Sequence, residues 1–116
     1  MRFMIPCKKW DIILVPFPFT NLTTSKKRPA LIISPDEYNL KSDIVIAFIT
    51  SNLNSPPRFG DYTIQDWESA GLPKPSMLRM KFATIDKSMI IRQLGTLHTN
   101  DQLQFKNKLI DFFSNP

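Results

Sequence analysis

Short apolar segments separated by turn-forming residues dominate the chain and restrict the folds available to it. Residues 12–17, 30–34 and 44–50 are rich in Ile, Leu and Val and are bounded by proline or by polar runs. Apolar stretches this short are typical of β-strands, because amphipathic helices need roughly ten residues or more. Residues 30–34 and 44–50 are almost uninterrupted, which predicts central strands that are buried on both faces.

The rest of the chain up to the last segment continues this pattern. We predict three further strands, at residues 60–64, 77–85 and 89–94. Polar residues 20–27 predict an exposed loop, and so do residues 51–59, which contain two prolines and two asparagines. A single helical turn is expected at residues 66–70, ended by Gly71.

The last segment has a helical period instead of a strand period. Its apolar residues stand at i, i+4, i+7 and i+8: Phe105, Leu109, Phe112 and Phe113. Thr99 and Gln102 have the spacing of a capping box, and Asp101 falls in the first turn, where the helix dipole favours a carboxylate. Several short strands followed by one helix predict a single α+β domain over residues 1–116, mainly antiparallel, that forms a closed or half-closed barrel.

The composition favours an anionic partner and a reducing compartment. Fifteen Lys and Arg against ten Asp and Glu give a net charge of +5, an excess that suits nucleic acid. The one cysteine, Cys7, cannot form an internal disulfide, so we expect a cytoplasmic protein. No apolar stretch approaches the roughly 20 residues of a spanning helix, so we expect no membrane association.

Several kinds of site are disfavoured by the residues that the chain lacks. A metal site built from nitrogen and sulfur ligands needs several His and Cys residues, and the chain has one of each. The three glycines form no phosphate-binding loop. Cys7 and His98 would have to meet to act as nucleophile and base, and His98 lies beside the predicted helix cap, where a structural or solvent-exposed role is favoured. We therefore expect neither a metal nor a cofactor.

The remaining candidates are basic or hydroxylic residues at strand ends. They are Lys26, Lys27 and Arg28 at the start of one strand, Thr50, Ser51 and Asn52 at the end of another, and Arg79 and Lys81 at alternate positions of a third. A guanidinium offers planar donors and a fixed positive charge to phosphate oxygens, and a threonine hydroxyl adds a hydrogen bond. Such a set could cleave RNA without a metal, because the 2′-hydroxyl of RNA is its own nucleophile. The same residues also fit ordinary surface and strand positions, so spacing alone indicates only a basic β-barrel with a candidate anion-binding groove.

Six segments, in order along the chain, resemble toxins of the MazF/PemK type. They are residues 11–20 (DIILVPFPFT), 27–33 (KRPALII), 44–52 (ending in FITSN), 60–62 (GDY), 70–76 (AGLPKPS) and 83–88 (ATIDKS). Each segment alone is a weak match, whereas the ordered series covers nearly the whole chain and is specific.

The resemblance implies a small SH3-like barrel, as in MazF and CcdB, with a C-terminal α-helix and assembly as a homodimer. It implies sequence-specific, metal-independent cleavage of single-stranded mRNA to a 2′,3′-cyclic phosphate, and a cognate antitoxin that blocks the groove. Arg28 matches the catalytic arginine, which would stabilise charge and transfer a proton to the leaving oxygen. Thr50 matches the residue that hydrogen-bonds the scissile phosphate, and Arg79 a further active-site arginine of some members. The other expected substrate contacts are Lys26, Lys27, Ser51, Asn52 and Lys81.

Two positions depart from the family pattern. Trp10 stands where many relatives have a glycine before the aspartate. Lys81 stands where some relatives have a carboxylate used in catalysis or RNA contact, so the proton acceptor is unassigned. Two alternatives stay open: a non-catalytic module of the same fold that binds nucleic acid or protein, and a toxin of related fold that acts on a protein such as gyrase.

Overall fold

A curled antiparallel sheet and a C-terminal helix make up the described part of the chain, residues 7–17 and 26–116 of a computed structural model. The elements are β1 (Asp11–Pro16), β2 (Lys27–Ile32), β3 (Asp43–Thr50), β4 (Tyr62–Thr63), β5 (Met77–Asp86), β6 (Arg92–Thr96) and α1 (Thr99–Ser114). The strand order is β4-β5-β3-β2-β1-β6, and each neighbouring pair is antiparallel. The predicted α+β, mainly antiparallel fold, a half-closed SH3-like barrel with a C-terminal helix, is confirmed.

The strand ends differ from the predicted ones for local reasons. β2 begins at Lys27, ahead of the apolar run, because the polar residues before that run still pair with β1. β6 begins at Arg92, later than predicted, because Lys87–Met89 forms a short 3-10 helix. The predicted loop at residues 51–59 is irregular in the structure, whereas residues 20–25 of the other predicted loop lie outside the described residues.

Apolar side chains pack on both faces of the central strands. On one face, which we call the larger core, the sheet packs against the fully buried Phe105 of α1. The sheet residues of this core include Ile12, Leu31, Ala47, Ile49 and Leu78. On the opposite face, the smaller core consists of Ile13, Val15, Ala30, Ile32, Ile44, Ile46 and Ile85. The uninterrupted apolar runs of β2 and β3 are therefore buried on both faces, as predicted.

A tight turn after β4 packs against β6 and narrows the gap between the edge strands of the sheet. The predicted helical turn at residues 66–70 is present and ends in Gly71, whose φ of 85° suits glycine. A Cβ on Gly71 would lie 2.1 Å from the Leu94 carbonyl oxygen, and a Cβ on Gly95 would lie 2.2 Å from the Ala70 carbonyl oxygen. The two backbones therefore touch at a point that has no room for a side chain.

A buried carboxylate joins α1 to the segment that follows β4. Asp101, in the first turn of the helix, is fully buried. It accepts hydrogen bonds from the Tyr62 hydroxyl, from the Gln65 N–H at 3.0 Å and from the Asp66 N–H at 2.9 Å. Three donors and the N-terminal end of the helix stabilise the charged carboxylate away from water.

The helix cap differs from the predicted capping box. The N-cap is His98 and not Thr99, and the His98 Nδ1 accepts the Asn100 N–H at 3.3 Å. Gln102 donates through its side chain to the Leu97 carbonyl at 2.7 Å, so it does not reach back to the cap. The capping-box prediction is wrong by one residue, because an imidazole nitrogen can accept from the first turn as a hydroxyl does.

β1 is entered through a residue with a strained backbone. Trp10 has a φ of 78°, in the left-handed region that costs non-glycine residues about 1–2 kcal/mol. Its N–H donates to the Ile32 carbonyl at 2.7 Å, and its carbonyl accepts the Leu97 N–H at 2.9 Å. The indole ring packs against the larger core. A glycine at this position would adopt the same backbone without steric cost.

Replacing Tyr62 by phenylalanine should reduce the free energy of unfolding by about 1–3 kcal/mol at neutral pH, because a buried carboxylate loses a donor. Burial and the Asp101 carboxylate raise the pKa of Tyr62 above its ordinary value. This stabilisation is complete below the pKa of an unfolded tyrosine, about 10, and is lost as the pH rises further. Urea unfolding should therefore show a smaller difference between wild type and Tyr62→Phe at about pH 11 than at neutral pH. An unchanged difference would contradict this account.

The strain at Trp10 can be measured with two variants. Trp10→Ala and Trp10→Gly both remove the packing of the indole ring, but only glycine relieves the left-handed backbone. We expect both to unfold at lower urea than wild type, with the glycine variant more stable than the alanine variant by about 1 kcal/mol. Equal stability, or a more stable alanine variant, would show that the backbone at this position is not strained.

Candidate active site

A solvent-open hollow lies on the sheet face that carries the smaller core, where β2 begins and β3 ends. Its volume is about 300 Å³. The polar residues of its lining are Arg28, Thr50, Asn52, Ser55, Arg58, Arg79 and Lys81, and the apolar ones are Val15, Phe17, Pro29, Ala30, Phe48 and Ile49. Val15 and Ala30 belong to both the smaller core and the lining. The hollow is thus the open end of the same row of alternating side chains that forms the core.

The pairing of β2 with β3 brings Arg28 and Thr50 to this hollow. Ala30 lies opposite Phe48 in the antiparallel register, and two further residues along that register put Arg28 opposite Thr50. The Arg28 side chain is exposed, and Thr50 is half-buried. The Thr50 Oγ1 accepts the Asn52 N–H at 3.1 Å, which orients the oxygen while its hydrogen stays available to donate.

A shift in the register of β5 gathers several residues beside one position of β3. Ala47 pairs with Phe82, and Ile49 pairs with Leu78. β3 therefore advances by two residues over a length in which β5 advances by four. Residues 79–81 bulge from the ladder opposite a single residue of β3.

The bulge decides where Lys81 lies. If the register at the open end of the strand continued without a shift, Lys81 would lie beside Ile46 of the smaller core. In the structure Ile46 pairs with Ala83 instead, and both Arg79 and Lys81 line the hollow. The sequence predicted that these two cations share a face, and the bulge moves them to the open end of that face.

Two phenylalanine rings separate cations on opposite sides of the hollow. Phe17 and Phe48 meet edge to face, with ring centroids 6.1 Å apart. The Arg28 Cζ lies 5.7 Å from the centroid of the Phe17 ring, and the Lys81 Nζ lies 4.9 Å from that of Phe48. Each of these two cations therefore rests on an aromatic face, where the ring attracts its positive charge.

The wall opposite Arg28 is built around Arg79. This side chain is only 9% exposed, and its Nη2 donates a hydrogen bond to the Ser55 hydroxyl. The same nitrogen lies 3.9 Å from the Asp61 Oδ2. That carboxylate oxygen also accepts the Arg58 N–H at 2.8 Å, and the Asp61 N–H donates back to the Arg58 carbonyl at 3.1 Å. A closed turn, with φ of 87° at Gly60, thus joins Arg58 to the carboxylate behind Arg79.

The structure brings together five of the candidate residues from the sequence and leaves three outside the lining. Those in the lining are Arg28, Thr50, Asn52, Arg79 and Lys81. Lys26, Lys27 and Ser51 are exposed and do not line the hollow. Lys27 and Ser51 directly adjoin Arg28 and Thr50, and successive residues of a strand point to opposite faces.

Sequence reasoning missed the other eight residues of the lining, among them Phe17, Phe48, Ser55 and Arg58. The alternation of side chains along a strand could have identified Phe48 as a residue of the lining. Phe48 stands two residues before Thr50, so the alternation of a strand already puts it on the same face. Ser55 and Arg58 lie on the irregular loop after β3, where no periodicity predicts a direction.

The charged groups of the lining are all cations. They are Arg28, Arg58, Arg79 and Lys81, so among the described residues no carboxylate, imidazole or thiol lines the hollow. His98 lies at the start of α1 with its Nδ1 3.3 Å from the Asp66 Oδ2, and Cys7 packs against the smaller core. Burial raises the pKa of the Cys7 thiol, which makes it a weaker nucleophile. Within residues 7–17 and 26–116 no group of three or more His, Cys, Asp or Glu residues could hold a metal ion.

The family comparison decides the identity of the chain. The model of the family described as "PemK-like, MazF-like toxin of type II toxin-antitoxin system" matches residues 8–113. The chain belongs to this toxin family. The resemblance inferred from the ordered sequence segments is therefore confirmed. No curated protein shows a significant match to the toxin.

Solved structures with the same fold cover almost the whole toxin. An endoribonuclease in complex with its cognate antitoxin, from a mycobacterial species, has a TM-score of 0.74 at 14% identity over 97% of this chain and 98% of that one. MazF from Deinococcus radiodurans has a TM-score of 0.71 at 18% identity over 95% and 98% of the two chains. The MazE–MazF complex from the same organism has a TM-score of 0.73 at 17% identity over 96% and 98%. These likenesses show a shared fold.

Proposed function

We propose that the toxin is an endoribonuclease that cuts single-stranded mRNA without a metal, with Arg28 and Thr50 at the scissile phosphate. The observation that supports this most directly is that both side chains line one open hollow whose charged groups, among the described residues, are all cations. Relatives of the same fold are described as endoribonucleases. A single RNA strand fits such a site better than a duplex does, because a hollow of about 300 Å³ accepts a nucleotide and not a helix.

The chemistry follows from the groups present. The 2′-hydroxyl of the substrate attacks the adjacent phosphorus, the bond to the 5′-oxygen breaks, and a 2′,3′-cyclic phosphate forms. Arg28 offers a planar set of N–H donors to the phosphate oxygens on which charge builds up, and Thr50 donates its hydroxyl to the same group. Arg28 is also the residue that we expect to transfer a proton to the leaving 5′-oxygen. Asn52, Arg79 and Lys81 complete the binding of the strand.

The described lining contains no carboxylate that could accept the proton of the 2′-hydroxyl. An arginine cannot accept it near neutral pH, because its pKa lies far above that range. Among the described residues the lining offers no carboxylate or imidazole base, so the acceptor of this proton is unassigned. Charge stabilisation and alignment therefore supply most of the acceleration that this protein provides.

The test is incubation of the purified toxin with a long RNA in excess EDTA, followed by mapping of the cut ends. We expect cuts at a short recurring sequence that leave 2′,3′-cyclic phosphates. Arg28→Ala and Thr50→Ala should each reduce the cutting rate by about 10²–10³-fold, the usual loss for one donor at a developing oxyanion. Arg28→Lys keeps the charge but loses the planar pair of donors, so we expect partial activity at most.

The control variant is His98→Asn, which keeps an acceptor at the helix cap and should cut like wild type. Equal cutting by wild type, Arg28→Ala and Thr50→Ala would show that the assigned site is wrong. Intact RNA that is nevertheless bound in a salt-sensitive way would select the non-catalytic binding module. Growth arrest with RNA untouched would select a toxin that acts on a protein.

The proposed function also specifies partners and place of action. We propose a cognate antitoxin that covers the cationic hollow, as related structures contain an antitoxin bound to the enzyme. Action on mRNA implies the cytoplasm. Within the described residues, no helix has both the length and the apolar character needed to span a membrane.

We further propose that the toxin is a homodimer and that α1 contributes to the dimer interface. Leu103, Ile110 and Phe113 are 55%, 56% and 67% exposed. Leu103 and Ile110, seven residues apart, form one stripe on the side of α1 away from the face of Phe105 and Leu109 that packs on the sheet, and Phe113 lies at the edge of that packed face. Apolar side chains grouped on a surface favour association with a second copy.

Ile110→Glu should convert the dimer into a monomer, because an unpaired charge in an apolar interface is unfavourable. The measurement is molar mass by light scattering over a range of concentrations. Gln104→Glu adds the same charge to the same helix outside the stripe and should leave the mass unchanged. A wild-type protein that is monomeric at every concentration, or a dimer that Ile110→Glu does not affect, would contradict the assignment.

A further inference from the structure

Asp61 lies behind one wall of the hollow, in contact with two arginines that line it. Its Oδ2 is 3.9 Å from the Arg79 Nη2 and accepts the Arg58 N–H at 2.8 Å. The carboxylate itself is not part of the lining, and its side chain is 12% exposed. It can therefore act on bound RNA only through the two arginines.

The other oxygen of this carboxylate indicates that stability alone does not explain its position. The Asp61 Oδ1 is buried and has no hydrogen-bond partner among the described residues. A buried acceptor without a donor opposes folding. The Asp101 carboxylate differs, since three protein donors satisfy its two oxygens.

The charges of the hollow supply a reason for a carboxylate at this place. Arg28, Arg58, Arg79 and Lys81 repel one another in a confined space. An arginine in such a group tends to turn out into solvent. The Ser55 hydroxyl and the Asp61 carboxylate hold the Arg79 guanidinium back against the wall.

We propose that Asp61 is a positioning residue that holds Arg79 and Arg58 as a second phosphate-binding wall, across β3 from Arg28. The inference rests on the proposed function, since it takes single-stranded RNA as the ligand. β2 and β5 flank β3, so the backbones of the two walls are roughly 10 Å apart, which is twice the spacing of neighbouring strands. An RNA strand that lies along β3 is then held from both sides.

The proposal predicts that removing the charge of Asp61 weakens RNA binding, whereas net charge alone predicts that it strengthens binding. Asp61→Asn raises the net charge from +5 by one unit, and on charge alone it should tighten the binding of RNA. If the carboxylate positions Arg79 and Arg58, the same change should weaken binding by about tenfold, comparable to the loss of one charge-assisted contact. The control is Asp43→Asn, which makes the same change of charge at an exposed residue at the far end of β3 and should not weaken binding.

The experiment measures the dissociation constant of a 2′-O-methyl RNA oligonucleotide, which lacks the nucleophile and cannot be cut, at several salt concentrations. Arg79→Ala should reduce the slope of log affinity against log salt by about 0.7, the value for one phosphate contact on a single strand. Asp61→Asn should reduce the slope in the same direction. In the double variant Asp61→Asn/Arg79→Ala, the loss of binding should be smaller than the sum of the two single losses, because part of the effect of the carboxylate passes through Arg79.

Binding by Asp61→Asn that equals or exceeds that of wild type would overturn the proposal. So would a loss in the double variant that is the full sum of the two single losses. Should Asp61→Asn fail to fold, as judged by circular dichroism and urea unfolding, Asp61→Glu carries the same test. It keeps the net charge and displaces the carboxylate, so weaker binding is expected and unchanged binding would count against the proposal. Failure of wild type to cut RNA would overturn the proposed function and leave this binding test intact.

Discussion

The antiparallel pairing of β2 with β3 is the constraint on which the site depends. Ile32 and Ile46 lie opposite each other in this pairing, and both are buried in the smaller core. A slip of one residue would exchange the two faces of a strand, so burial of these side chains determines the register strongly. The same register delivers Arg28 and Thr50 to the open end of that face. The packing of an apolar core thus positions two polar groups that contribute nothing to it.

The hollow gathers four cations at one end of the sheet, and of these Arg28, Arg58 and Lys81 are exposed whereas Arg79 is buried. Two of them rest on the faces of a pair of phenylalanine rings. Arg79 is held by a hydroxyl and by a carboxylate that lies outside the hollow. The positive potential therefore points towards solvent, where a phosphate would enter, and the compensating negative charge stays behind the wall. A carboxylate within the lining would weaken the attraction for RNA.

Elsewhere in the molecule, stability comes from connections between distant parts of the chain. Asp101 ties the first turn of α1 to the segment after β4. The contact of Gly71 with the backbone of β6 narrows the gap between the edge strands. Trp10 has a left-handed backbone, and the packing of its ring against the larger core offsets part of that strain.

The sequence by itself determined which segments along the chain form strands and which forms the helix, and that β2 and β3 are buried on both faces. It also determined the turn that ends at Gly71 and the family to which the chain belongs. These follow from local periodicity, from turn chemistry and from ordered motifs, all of which are written along the chain. Only the tertiary structure decided that Lys81 reaches the hollow, since the bulge in β5 arises from pairing with β3. It also decided that Lys27 and Ser51 are turned away, that Arg58 is turned in, and that Asp61 stands behind Arg79. Such choices depend on register and on loop paths, which are set by contacts between residues far apart in sequence and leave no periodic trace in it.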